Sequence, residues 1–274
     1  MKGLPFPRPK KRLGQNFLTD HNISRKIVAS ANLTSLDTVL EIGPGCGALT
    51  RLLCQAASKV IAVEVDEGLV SFLQDTCPDC PNLDLRHADA LDFSFSSLPP
   101  NSVVVANLPY HISSPLLFTM FEGRENIHRM VLMMQLEVAQ RVVAQPRTRT
   151  YGILSVCSQY FSNPTILFKI PPTCFSPRPE VDSALVQFVI RKDRSSGKED
   201  EKMFVRVVRA AFAHRRKTLV NSFRDSGVPL SEIEKRCGLV GIDTKRRAET
   251  MTVQEFIALA QTFTQECNWF TAFS

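Results

Sequence analysis

Asn107-Leu108-Pro109-Tyr110 follows directly on the apolar run Ser102–Ala106. Asn and Pro are poor strand residues and ordinary strand terminators, so the tetrapeptide by itself reads as a turn. Its groups are nevertheless suited to one kind of chemistry. An aromatic amine is a weak nucleophile because its lone pair is delocalised into the ring. A side-chain amide oxygen and a backbone carbonyl that both accept its N–H bonds favour a pyramidal nitrogen with the lone pair free to attack. Asn107 offers the amide, Leu108 the carbonyl and Pro109 stiffness, while Tyr110 offers a stacking face for a base taken out of its helix. The nitrogen becomes acidic once alkylated, so the task is positioning and hydrogen bonding rather than prior deprotonation.

A second group of residues could hold the alkyl donor. Gly43-Pro44-Gly45-Cys46-Gly47, preceded by Glu41, ends an apolar run, and its glycines allow a tight turn and close approach of backbone to ligand. The pyrophosphate fingerprint would place glycine at 48, where Ala48 stands. The spacing therefore favours the nucleoside end of S-adenosylmethionine, with a purely structural turn as the alternative. Glu64, seventeen residues after Gly47, can accept from both hydroxyls of a ribose. Asp66, two residues on, is the weaker candidate, and Asp89 is placed to accept from the exocyclic amine of an adenine.

These residues need a scaffold that brings them to one edge. Short branched runs at 37–43, 59–66, 83–89, 102–108 and 129–135 alternate with helical stretches, the pattern of βαβ units and a mostly parallel sheet covered on both faces. Ser114 and Pro115 look like the cap and first position of a helix. Runs at 164–170 and 183–190 lack an intervening helix and predict an antiparallel hairpin added to the sheet. The polar stretch 191–200 reads as a linker, and the pattern beyond it is helical. The fold expected is an α/β, Rossmann-like class I methyltransferase with a seven-stranded, mostly parallel sheet over 1–190, followed by a small all-helical domain over 200–274.

Composition agrees with a globular protein, at 44% hydrophobic and 22% charged residues. No apolar run reaches the ~18 residues of a membrane span, and the basic N-terminus lacks a secretory apolar region. Seven Lys and Arg stand against one acid in residues 1–30, ten against fifteen in 31–190, and sixteen against eleven in 191–274. Basic flanks around an acidic middle suit a polyanion gripped at both ends. The eight cysteines are scattered. Cys77 and Cys80 form the one close pair, without a second pair or histidines at ligand spacing, and read as a surface loop rather than a metal or redox site.

Taken together, the stretches GQNFL (14–18), EIGPGCGALT (41–50), VEVD (63–66), ADAL (88–91), NLPY (107–110), MMQLEVAQR (133–141), FSPRPEVDS (175–183) and AFAHRRKTL (211–219) resemble the rRNA adenine N6,N6-dimethyltransferases of the KsgA/RsmA type. That family dimethylates two adjacent adenosines near the 3′ end of small-subunit (16S) rRNA. The resemblance implies that Asn16, Leu18, Gly43, Gly45, Glu64, Asp89 and Asn107 contact S-adenosylmethionine, and that Asn107, Leu108, Pro109 and Tyr110 form the transfer site. It implies Phe175 as a second wall of a base sandwich, with simple core packing as the alternative. Lys10, Lys11 and Arg12, and His214 with Arg215, Arg216 and Lys217, would contact phosphates. It implies a monomer that needs no metal and no membrane and works on the pre-30S subunit in a bacterial cytoplasm, with an organellar stroma or matrix the lesser alternative. Leu136 departs from the basic residue common in the family. Two other functions stay open on the same fold: a large-subunit rRNA adenine methylase conferring macrolide resistance, and a non-catalytic nucleic-acid-binding or assembly factor. A nicotinamide dehydrogenase is disfavoured by Ala48.

Overall fold

The computed structural model describes residues 7–10, 13–192, 197–214 and 216–263. They fall into two units. The first comprises residues up to Ala139 together with Asn163–Ile190, and the second comprises Gln140–Ser162 and the residues from Arg191 onward.

In the first unit the branched runs become strands β1 (Thr38–Ile42), β2 (Lys59–Glu64), β3 (Leu83–His87), β4 (Ser102–Asn107), β5 (Ile127–Gln135), β6 (Ser162–Ile170) and β7 (Ser183–Ile190). They lie in the order β3-β2-β1-β4-β5-β7-β6. The first five pair in parallel, with Ile42 opposite both Val63 and Ala106, so β1, β2 and β4 end side by side. β7 is antiparallel to β5, with Met130 opposite Phe188. The predicted hairpin is thus present as neighbouring strands, but its second strand takes the inner place. Pro164 falls on the outermost strand, where a missing N–H costs no ladder bond.

Apolar runs in β1, β2 and β4, interrupted only by Glu41 in β1, fit a sheet covered on both faces. On one face Val39, Val103, Val105, Val131 and Leu185 pack with Ile27 of α1 (His21–Ser30) and Leu53 of α2 (Thr50–Ala56). On the other, Phe121 of α4 (Ser113–Glu122) meets Phe188 edge-on at 6.2 Å. Asp20 caps α1 by accepting from Asn22 N and Ile23 N. Asp66 caps α3 (Glu67–Thr76) by accepting from Gly68 N at 3.0 Å. Ser114 does not cap α4. A single 3₁₀ turn, Tyr110–Ile112, runs straight into that helix, so it begins at Ser113, whose hydroxyl donates back to Pro109 O at 3.0 Å.

The second unit contains α6 (Ile153–Phe161), α7 (Lys198–Ala211), α8 (Leu219–Asp225), α9 (Leu230–Leu239) and α10 (Val253–Gln261), and the chain enters it within α5 (Leu136–Val142). Its boundary differs from the one read at 190, because 140–162 groups with the C-terminal helices. The reason is apolar: α6 is buried along most of its length, Tyr160 stacks on Phe204 at 3.7 Å, and Tyr151 meets Phe212 at 6.2 Å. Arg147 N also donates to Glu249 O at 2.7 Å. No helix among the described residues is long and apolar enough to cross a membrane.

Leu40, in the middle of β1, has no exposed surface. Leu40→Ala is expected to cost about 3 kcal/mol, read as a lower urea midpoint at unchanged slope. A cost under about 1 kcal/mol would contradict the close packing assigned to this strand.

Candidate active site

The aligned ends of β1, β2 and β4 open into a cavity of about 740 Å³, part of it open solvent. Its walls include Asn16, Leu18, Gly43, Gly45, Glu64, Asn107, Leu108, Pro109 and Tyr110. Residues that were 91 positions apart in the chain, Asn16 and Asn107, here share a hydrogen bond: Asn107 Nδ2 donates to Asn16 O at 3.2 Å.

Each wall has a local cause. Gly45 follows β1 with φ +57°, a left-handed conformation open to glycine at little cost, and its N–H donates to Glu64 Oε2 at 3.2 Å. The other oxygen of Glu64 accepts from Asp66 N at 3.0 Å. Burial nevertheless raises the Glu64 carboxyl above its ordinary value, against the pull of these two amides. Asn107 ends β4, and because its NH₂ is engaged by Asn16 O, its carbonyl oxygen is the free acceptor end. Leu108 is buried and its N–H is fixed by Met133 O at 3.0 Å, while among the described residues nothing donates to its own carbonyl. Pro109 holds φ −58°, and the Tyr110 ring is oriented by a 2.6 Å bond between its hydroxyl and Ser183 Oγ. Burial raises the Tyr110 phenol, so it stays neutral.

Other predicted residues sit elsewhere. Asp89 is exposed, two residues beyond β3, and is not part of the cavity wall. Its Oδ1 accepts from Leu91 N at 2.9 Å, although Ala88 N, donating to Glu64 O at 3.0 Å, keeps that loop beside Glu64. Phe175 is not a wall of the cavity. It is 5% exposed, pairs with Leu18 in a two-residue strand bridge, and belongs to the core under the sheet. Lys10 is not a free phosphate contact, since its Nζ pairs with Asp66 Oδ1 at 2.6 Å. Lys11, Arg12 and Arg215 lie outside the described residues. His214 and Lys217 are exposed but share the carboxylate of Asp225, and Arg216 is exposed beside them. Cys77 is buried at the end of α3 rather than on a surface loop. Among the described residues no group of three or more His, Cys, Asp or Glu is arranged to hold a metal.

Two features of the site escaped the sequence reading. Glu41 stood only as the residue before the glycines; it is 1% exposed, lines the cavity, and its Oε2 has no hydrogen-bond partner. Burial, with Glu64 nearby, pushes its carboxyl up to about 8. The available signal was an acid inside an otherwise apolar strand. Asp66 is occupied rather than open: burial works to raise its carboxyl, but Lys10, Gln15 and Gly68 together hold it below the ordinary range. Its place at the start of a helix was the signal for a cap.

Residues 7–265 match the family model of ribosomal RNA adenine dimethylases. The chain belongs to this family. It is 44% identical over 272 residues to the ribosomal RNA small subunit methyltransferase A of Pelotomaculum thermopropionicum, covering 93% of this chain and 91% of the relative. It is 43% identical to the protein of the same name from Moorella thermoacetica, covering 93% and 92%. Among solved structures, it resembles a dimethyladenosine transferase from Plasmodium falciparum with a TM-score of 0.76 and 28% identity, over 90% of this chain and 97% of that one. The 23S rRNA methyltransferase ErmE follows with a TM-score of 0.69 and 25% identity, over 91% and 100%. The dimethylase family and the class I methyltransferase fold are therefore established for this chain.

Glu41 gives a measurable signature. With its folded-state pKa raised to about 8, the folded protein keeps a proton that the unfolded chain loses in the ordinary carboxylate range. Stability held at low pH is thus lost as pH rises towards 8. Glu41→Gln should remove this loss, so that thermal melts of the ligand-free variant gain on the wild type between pH 5 and pH 8. Melting curves that run parallel across that range would show that Glu41 is already ionised.

Proposed function

We propose that this protein transfers methyl groups from S-adenosylmethionine to the N6 amines of two adjacent adenosines of small-subunit rRNA. The observation that carries this is the Asn107 amide, held by Asn16 O with its oxygen free beside the Leu108 carbonyl on the wall that also holds Glu64. The relatives at 43–44% identity carry the small-subunit name, whereas the solved 23S enzyme stands at 25%, which favours the small subunit over the large.

The cavity suits the cofactor on its own chemistry. Glu41 lines the cavity with a buried oxygen that has no protein partner, and a cationic ligand bound there would favour release of the proton its carboxyl otherwise keeps. The glycine turn leaves backbone open to close approach. Asn16, Leu18, Gly43, Gly45, Glu64 and Asn107 would hold the cofactor, with the lone pairs that Glu64 does not use on Gly45 and Asp66 directed to ribose hydroxyls. Asp89 would reach the adenine from outside the wall. When bound, S-adenosylmethionine supplies an electrophilic methyl group on a sulfonium.

The chain does the rest by placement. Asn107 Oδ1 and Leu108 O accept the two N–H bonds of the target amine and point its lone pair into the cavity. Pro109 fixes the second carbonyl, and the Tyr110 ring, steadied by Ser183, stacks on the base. The proton lost after alkylation passes to water. A second round needs only that the monomethylated amine re-enter with its remaining N–H on one of the two acceptors. RNA contact falls to the basic N-terminal run and to the helical unit, where Arg216 and Lys217 are exposed. A monomer in a bacterial cytoplasm completes the proposal.

The test is mass spectrometry of rRNA from under-methylated small subunits incubated with the protein and labelled cofactor. N6,N6-dimethyladenosine at two adjacent positions is expected; none on small subunits but methylation of naked large-subunit RNA would transfer the assignment. Asn107→Ala should lower the rate at least about a hundredfold while the melting curve stays close to wild type.

A further inference from the structure

We infer that Asp66, together with Gln15 and Lys10, is a positioning residue for methyl transfer, acting through the segment Leu13–Leu18 on the amide of Asn107. This rests on the function proposed above and adds two residues, Asp66 and Lys10, that lie outside the cavity wall and act through Gln15, which lines it.

The connection is continuous. Asp66 is 4% exposed, and its two oxygens are divided between two tasks. Oδ1 caps α3 through Gly68 N and also receives Lys10 Nζ at 2.6 Å. Oδ2 takes no part in the cap and accepts from Gln15 Nε2 at 3.0 Å. The other end of the Gln15 amide, Oε1, accepts from Lys10 N at 2.7 Å, which closes a ring of Lys10, Gln15 and Asp66. The next residue, Asn16, presents its backbone carbonyl to Asn107 Nδ2 and donates its own side chain to Gly14 O. Beyond it Phe17 and Leu18 are pinned by pairing with Ser176 and Phe175.

The segment therefore has two anchors on either side of Asn16. The downstream anchor is backbone pairing over buried apolar side chains; the upstream anchor is polar and depends on Asp66. The fit in between is close, since a Cβ on Gly14 would lie 2.8 Å from His111 Nδ1 in the turn after Tyr110. Losing the upstream anchor frees Asn16 O to shift, and with it the one acceptor that decides which end of the Asn107 amide faces the target amine. A helix cap alone would need Oδ1 and leave Oδ2 idle.

Asp66→Asn separates the two tasks. It can keep Oδ1 as the cap acceptor, but it turns an NH₂ towards the NH₂ of Gln15 and removes the charge that Lys10 meets. Gln15→Glu sets a second carboxylate against Asp66. The double variant Asp66→Asn with Gln15→Glu restores a donor facing an acceptor and returns a negative charge for Lys10. At saturating cofactor and RNA, each single variant is expected to lose about tenfold in single-turnover methylation, and the double to regain most of it. Hydrogen exchange at amides 15–18 in the cofactor-free protein should quicken in both singles and slow again in the double.

A double variant no faster than the worse single would overturn the proposal. So would exchange at 15–18 that ignores all three substitutions. If instead the wild type methylates no adenosine, the functional assignment fails, and the exchange pattern still decides whether Asp66 holds the segment.

Discussion

A carboxylate taken out of water must be answered by donors, and Glu64 is answered by two backbone amides from different segments. Gly45 N comes from the turn after β1, and Asp66 N from the start of α3. One side chain at the end of β2 thereby fixes the glycine turn, the entry to the next helix and the position of the acid that caps it. Asp66 then gathers Lys10 and Gln15, and through them the segment that closes the near wall. Much of the polar order of the site descends from that one buried group.

The same burial sets the electrostatics. Two acids, Glu41 and Glu64, enter the cavity wall from neighbouring strands, and each is raised chiefly by loss of water, Glu41 further by the charge of Glu64 and Glu64 by that of Asp66. Glu64 has found amides; Glu41 Oε2 has found none. A wall with one acceptor satisfied and one left over is poor for stability and well suited to a ligand carrying positive charge. The edge at Asn107, Leu108 and Tyr110 is different in kind, made of neutral acceptors and a neutral phenol.

The sheet was legible because its inner strands are short runs of branched apolar residues, the pattern of parallel strands buried on both faces. The wall residues from the first, second and fourth strands were legible for a related reason: they stand where such runs stop. Phe175 was misplaced because an aromatic beside prolines looks the same in sequence whether it faces a base or the core, and only the pairing with Leu18 decides. Lys10 was misplaced because a basic run reveals its charge but not a partner 56 residues away. Glu41 was passed over because a buried acid without a partner is a fact about surroundings that composition does not carry.

The second unit takes its members from two places in the chain, Gln140–Ser162 and the residues after Arg191. The polypeptide therefore leaves the sheet, returns to lay down β6 and β7, and leaves again. A cut after 190 would not release a self-contained methyltransferase. It would strip Tyr151, Tyr160 and the rest of the middle excursion of their aromatic partners, Phe212 and Phe204, and leave that apolar surface in the centre of the remaining chain. In such a topology the helical portion cannot be gained or lost as an appendage, and during synthesis a helical segment of the other unit emerges after β5 and before the last two strands of the sheet.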